Sequence, residues 1–203
     1  MLLSNAMNRT LFTIGVALSL CHLAHAGDDV PPAIAVTIEG GDLRADWQSY
    51  PRIMMAVWPD GKIIWSQDQT KGGPPFRVSR IEPAKTQALL TKFEKQSVFQ
   101  KDKFRHSWLG LDSTYHSIWL SSGAKHIRVE TWHELWEANP DLVVIHGNVT
   151  TLEGRKRDDV IASDTKEFQA FRKLWTDLRT STSSLIPKKG TPLSESLKLK
   201  LPK

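Results

Sequence analysis

The run His133-Glu134-Leu135-Trp136-Glu137 contains the residue types of a zinc hydrolase without their spacing. Such an enzyme needs a second histidine four residues after the first, so that both imidazoles lie on one helix face. Glu137 occupies that position, and Pro140 ends any helix soon afterwards. A mixed metal site of His133, Glu137 and His146 is the weaker alternative. We therefore expect no metal and no other cofactor.

Nucleophilic and acid–base catalysis is the second chemistry that the histidines could support. Three serines could each be paired with His116 or His126, namely Ser113, Ser117 and Ser121. None of them lies in a Gly-x-Ser-x-Gly turn, which exposes a nucleophile where a strand meets a helix. His116 has apolar neighbours in its predicted strand, so we expect a hydrogen-bonded core histidine.

Tryptophan is unusually frequent, with eight residues in the chain. Because indole rings bury a large area per residue, we expect Trp58, Trp65 and Trp175 to fill the core. Other tryptophans are expected in a loop or on a mixed aromatic and polar strand face, where a ring can stack on a sugar or on a partner's side chain. The candidate ligand-binding residues are Tyr115, Trp119, His126, Arg128 and Trp132.

Residues 1–26 have the three parts of a secretory signal peptide. Arg9 supplies a positive charge, residues 11–23 are apolar, and Ala24-His25-Ala26 is a small-x-small cleavage site. We expect cleavage after Ala26, export to the periplasm or the medium, and no transmembrane segment in the mature chain. Cys21 is the only cysteine, so the mature domain is expected to fold without disulfides.

The basic character of the chain is confined to its end. Residues 181–203 contain five lysines and one acidic residue, whereas residues 27–180 contain equal numbers of basic and acidic side chains. A neutral domain has no electrostatic footprint for a polyanion, so we expect no nucleic-acid partner. Ser, Thr, Pro and Lys dominate after Thr180, which predicts a single domain at 27–180 and a disordered basic tail at 181–203.

The elements that must position these side chains start from a predicted hairpin at residues 53–67. Asp60-Gly61 lies between two apolar runs and is a strong hairpin signal, because Gly adopts positive φ without strain. A two-residue loop would pair Trp58 with Ile63, Val57 with Ile64, and Ala56 with Trp65. Both faces are largely apolar, which predicts a buried hairpin in the middle of a sheet.

A second hairpin is predicted at residues 114–131, with its turn at Ser122-Gly123. Alternation separates a core face from a mixed face, on which His126 is expected opposite Trp119. The core face is His116, Ile118, Leu120, Ile127 and Val129, and the mixed face is Tyr115, Ser117, Trp119, His126, Arg128 and Glu130.

One helix is predicted to begin at Pro83 and another after Asp164, where Glu167 completes a capping-box pattern. Residues 154–159 between them are predicted to be a charged loop. The fold class is therefore α+β, an antiparallel sheet built on two β-hairpins with two main amphipathic helices packed against it.

The order of these elements resembles a class of exported bacterial domains of unknown function. Four segments carry the resemblance over about residues 50–180: the turn at Asp60-Gly61, the helix begun by Pro83, the sequence Asp112-Ser113-Thr114, and the closing helix at 171–179. The resemblance implies an exported location and this architecture, and it implies no activity.

We therefore expect an exported, non-catalytic envelope protein. It would bind or assemble with an envelope protein or polysaccharide that the sequence does not identify. The alternative is a hydrolase acting on an envelope polymer, with His126, His133 or Glu134 in acid–base roles.

Overall fold

The computed structural model describes residues 30–40, 51–100 and 114–193. Its strands are β1 (Ile34–Glu39), β2 (Arg52–Val57), β3 (Lys62–Ser66), β4 (Phe76–Arg80), β5 (Tyr115–Ser122), β6 (Lys125–Thr131), β7 (Leu142–Ile145), β8 (Asn148–Thr151) and β9 (Thr191–Leu193). Its helices are α1 (Pro83–Lys95), α2 (His133–Trp136), α3 (Arg157–Ala162) and α4 (Lys166–Ser183), with a 3-10 turn at Val98–Gln100.

Seven strands form one antiparallel sheet in the order β6-β5-β1-β2-β3-β4-β9, and β7 and β8 form a separate pair. Helices pack against the large sheet, so the predicted α+β class is confirmed. None of the helices in the described ranges is long and apolar enough to cross a membrane. The predicted signal peptide and residues 194–203 lie outside the described residues.

The first hairpin lies at the centre of the sheet, but its register is one residue away from the prediction. The observed pairs are Val57–Ile63, Ala56–Ile64 and Met55–Trp65. The loop has three residues, since the Trp58 nitrogen donates to the Lys62 oxygen at 2.9 Å. A shift of one residue changes which side chains share a face. Trp58 and Trp65, predicted on one face, therefore lie on opposite faces, and both are buried at 6 % exposure.

The main core lies between the sheet and the two longer helices. α1 begins with Pro83, which needs no N–H partner there, and its apolar residues recur every three or four positions. The apolar residues of α4 also recur every three or four positions, and they pack into the same core on the same side of the sheet. The helical core residues are Leu89, Leu90, Phe93, Phe168, Phe171, Trp175 and Leu178. A smaller cluster buries the other face of the first hairpin.

The second hairpin has the predicted faces and a different turn. Ser122 pairs with Lys125, so the turn is Gly123-Ala124 and not Ser122-Gly123. All five residues of the predicted core face are buried, with Ile118, Leu120 and Val129 at 0 % exposure. Strand β1 pairs with both β2 and β5, which places the second hairpin next to the first through a third strand.

The C-terminal part is more ordered than its composition predicts. The N-cap of α4 is Thr165, whose side chain accepts from the Phe168 nitrogen, so the predicted capping box of Asp164 and Glu167 is wrong. The predicted charged loop at 154–159 is replaced in part by α3. Disorder from residue 181 is wrong up to residue 193, because α4 continues to Ser183 and β9 pairs with β4.

Candidate functional site

The mixed face of the second hairpin forms a cluster around Arg128. In the observed register Arg128 lies opposite Trp119, and Glu39 of β1 lies opposite Tyr115. The guanidinium carbon is 4.7 Å from the ring centroid of Trp119 and 5.7 Å from that of Tyr115, both within cation–π range. We call Arg128, Trp119, Tyr115, Glu39 and Glu130 the Arg128 cluster.

Two carboxylates hold the guanidinium in place. Its Nη2 donates to Oε2 of Glu39 at 2.5 Å, and its Nε is ion-paired with Oε1 of Glu130. The Ser117 hydroxyl donates to the same Glu130 oxygen at 3.2 Å. Only 3 % of the Glu130 side chain is exposed, against 25 % for Arg128. Charge-assisted bonds at such burial fix the orientation of the arginine beside the rings.

The two aromatic rings of the cluster are half-buried and therefore accessible in part. Burial, and then the charges of Glu130 and Glu39, raise the pKa of the Tyr115 hydroxyl above its ordinary value of 10.0. The hydroxyl thus stays protonated and can donate at neutral pH. The indole N–H of Trp119 is buried without a hydrogen-bond partner in the part of the chain that the structure describes.

His126 and Trp132 are not members of this cluster. His126 pairs with Ser121, so the expectation that it faces Trp119 is wrong. Its Nδ1 lies 3.0 Å from the Ser121 hydroxyl, and the residue is exposed. Trp132 is 5 % exposed and belongs to the main core, where its ring meets Trp136 edge-on at 6.4 Å.

A second polar cluster joins α2, α4 and the helix-covered face of the sheet. Oε2 of Glu134 is 2.6 Å from Nδ1 of His116 and accepts from Nε1 of Trp175 at 3.3 Å, while Nε of Arg179 donates to Oε1 at 3.3 Å. His116 is thus the hydrogen-bonded core histidine that was predicted. Burial raises the pKa of Glu134, but the hydrogen bond from His116 and the charge of Arg179 lower it by more. The resulting pKa of Glu134 is about 2.

His133 is buried among aromatic side chains. Its ring meets Phe168, Phe171 and Trp175 edge-on at centroid distances of 6.0, 6.2 and 6.5 Å, and its Nδ1 is hydrogen-bonded to the Thr131 hydroxyl. Burial, and then the charge of Arg172, lower the pKa of His133 from 6.5 to about 4. The imidazole is therefore neutral at pH 7.

The structure does not support the mixed metal site, because each of its three residues has another partner. His133 bonds Thr131, Glu137 pairs with Arg172, and Nδ1 of His146 lies 3.0 Å from Oδ1 of Asp164. Within residues 30–40, 51–100 and 114–193, no three His, Cys, Asp or Glu side chains are grouped so as to hold a metal ion.

Glu137 instead forms a largely buried clamp with Arg172, which sequence reasoning missed. The two side chains, each 11 % exposed, make two parallel hydrogen bonds of 2.8 and 2.5 Å. Arg172 also donates to the Val144 oxygen at 2.5 Å, and the Val144 nitrogen donates to Glu137 at 2.7 Å. The clamp therefore ties α2 and α4 to β7.

The buried His133 predicts a loss of stability in mild acid. The folded protein binds a proton at His133 less tightly than the unfolded chain does, because the pKa of His133 is lowered by folding. The stability contributed by neutral His133 is therefore complete above pH 6.5 and is lost as the pH falls towards 4. Between pH 7 and pH 5 we expect the free energy of unfolding to fall by about 2 kcal/mol from this group.

Urea unfolding of the parent and of His133→Asn at both pH values measures this effect. The variant is expected to be less stable at pH 7 and to lose much less on acidification. An equal acid loss in the two proteins would assign the effect to other groups. Glu134 does not interfere, because its contribution is lost only between about pH 4.5 and 2.

A cavity of about 310 Å³ opens between the start of α1, the β2–β3 loop and the β5–β6 turn. Ser121, the hydrogen-bond partner of His126, belongs to its lining. The lining residues are Ala33, Pro59, Pro83, Ala84, Thr86, Gln87, Leu90, Ser121, Ser122 and Gly123. No sequence motif signalled this cavity, because its walls come from segments far apart in the chain.

No protein-family model matches the sequence, and no curated protein or solved structure is significantly similar to it. The resemblance to exported bacterial domains accordingly remains a prediction from the order of the elements. Function has to be argued from the site itself.

Proposed function

We propose that this protein is an exported, non-catalytic binding domain of the bacterial envelope, and that the Arg128 cluster is its binding surface. The observation that carries the proposal is the guanidinium held by two carboxylates beside two half-buried aromatic rings. Tyr, Trp and Arg are the residues most enriched at binding hot spots. Because the arginine is already fixed, little side-chain freedom is lost when a partner binds.

The alternative, hydrolysis of an envelope polymer, has less support. A general acid or base works best with a pKa near the working pH. The pKa values of Glu134 and His133, about 2 and 4, lie well below neutrality, and His126 contacts a serine at an exposed strand end. None of these three lines the cavity beside α1. An envelope protein or polysaccharide therefore stays the expected partner, as ligand and not as substrate.

Retention of the protein on isolated envelope material tests this function. Trp119→Ala is expected to lower retention about tenfold, since an aromatic hot-spot residue typically contributes more than 1 kcal/mol. Trp136→Ala is the matched control, because Trp136 is 45 % exposed and lies outside the Arg128 cluster.

Circular dichroism is used to check that both variants are folded. Equal retention of parent and Trp119→Ala would refute the proposed surface, as would an equal loss in the two tryptophan variants. Release of soluble polymer fragments by the parent protein would favour the hydrolase instead.

A further inference from the structure

The cavity beside α1 is not used by the proposed function. Its walls are fixed relative to one another by backbone hydrogen bonds, since the Ser121 nitrogen donates to the Ala33 oxygen at 2.8 Å and the Ile81 nitrogen to the Gly61 oxygen at 2.9 Å. At about 310 Å³ it reaches the size range of small-molecule sites. Its volume is therefore sufficient to admit a small molecule.

The lining selects against ions. Among the described residues that form it none is charged, and the polar ones are Thr86, Gln87, Ser121 and Ser122. A charged ligand would lose its hydration there without a counter-ion. The exposed carboxylate of Glu82, at the N-cap of α1, further opposes an anion. Hydroxyl and amide groups both donate and accept, which suits an uncharged molecule with several hydroxyls.

Thr86 provides the observation that points to a ligand. Its side chain is on the buried side of α1, with 2 % exposure, and its hydroxyl has no hydrogen-bond partner in the described part of the chain. The hydroxyl of a helical threonine can bond a carbonyl oxygen three or four residues earlier. No such bond forms here, and an unpartnered buried hydroxyl is unfavourable. Because Thr86 lines the cavity, rotation about its χ1 bond would bring the buried hydroxyl to a ligand oxygen there, which would supply the partner.

We propose that this cavity binds one uncharged, polyhydroxylated ring, such as a single sugar unit, with the Thr86 hydroxyl as its buried hydrogen-bonding group. The volume corresponds to about ten water molecules, which admits one ring. Pro59, Pro83 and Leu90 provide apolar surface for the C–H groups of the ring. Gln87 and the two serines bind its hydroxyls.

NMR titration of the full chain with glucose, and separately with N-acetylglucosamine, tests the site. Saturable shifts of the Ala84, Gln87 and Gly123 amides are expected, with a dissociation constant in the millimolar range. Thr86→Val is expected to weaken binding about tenfold, because it removes one hydrogen bond and keeps the shape of the side chain. Thr86→Ser is expected to retain binding.

Two further variants keep the test decisive. Ala84→Phe, at the exposed mouth of the cavity, should abolish the shifts, whereas Ala88→Phe, on an exposed position of the same helix outside the lining, should leave them unchanged. Thr86→Val should unfold at the same or a higher temperature than the parent, since it removes an unpartnered hydroxyl.

Three results would overturn the sugar site: no saturable shifts with either sugar, equal affinity of the parent and Thr86→Val, or saturation by acetate or phosphate in place of sugar. The Arg128 cluster shares no residue with the cavity. Trp119→Ala should therefore bind the sugars normally, and failure of the proposed function can be told apart from failure of this site.

Discussion

Replacing Arg172 with leucine is expected to lower the free energy of unfolding by about 3 to 5 kcal/mol. The substitution leaves the Glu137 carboxylate buried without its partner and also removes the hydrogen bond to the Val144 oxygen. Chemical denaturation measures the loss. Hydrogen exchange should show the greatest loss of protection in β7, because the clamp holds that strand against both helices.

The double variant Glu137→Leu with Arg172→Leu distinguishes the destabilisation caused by an unpaired buried charge from the net contribution of the ion pair to stability. Replacing both members of a buried ion pair by apolar residues is often nearly neutral, so we expect much of the lost stability to return. Arg80→Leu is the control, since its pair with Asp60 is 49 % and 43 % exposed and should contribute at most about 1 kcal/mol. A double variant less stable than Arg172→Leu would contradict this account.

Replacing Gly61 with alanine is expected to destabilise the fold by about 3 kcal/mol. Gly61 has a φ of +85°, and a Cβ added there would lie 2.1 Å from the Ile81 oxygen. That oxygen belongs to backbone that leads directly into α1, so it cannot move away without shifting the helix. The hydrogen bond from the Ile81 nitrogen to the Gly61 oxygen would be displaced as well. Thermal and urea unfolding measure the effect.

Gly123→Ala is the matched control for this substitution. Gly123 also has a positive φ, of +59°, but a Cβ there would meet nothing within 4 Å. Gly123→Ala should lower the free energy of unfolding by about 1 kcal/mol, which is the strain of a left-handed conformation at a residue with a Cβ. Equal losses in the two alanine variants would show that the contact with Ile81 contributes nothing.

The fold class and the faces of the second hairpin could be predicted from alternation, because one face is apolar and the other mixed. The register of the first hairpin could not be predicted in this way. Both of its faces are apolar, so nothing in the pattern distinguishes the true register from one shifted by a residue. Asp60-Gly61 fits a two-residue loop and also the three-residue loop that the structure contains. The burial of Trp58 and Trp65 is insensitive to that choice and was predicted correctly.

The candidate site was predicted in part, since local pattern places Tyr115, Trp119 and Arg128 on one face. Glu39, which fixes the arginine, is 89 residues away along the chain and becomes a neighbour only through the pairing of β1 with β5. The Arg172 clamp and the Thr86 cavity depend on similar long-range packing. Composition also failed near the C-terminus, because a polar segment can be ordered by pairing with an existing strand, as β9 is.

That last strand affects how copies of the protein behave in concentrated solution. An unprotected sheet edge offers a row of free backbone groups on which another molecule can add a strand. β9 occupies this edge at β4, has only three residues, and includes Pro192, which has no N–H to donate. This edge of the sheet is therefore a poor template for the addition of a strand from another molecule. The C-terminal segment thus limits self-association at this edge as well as completing the fold.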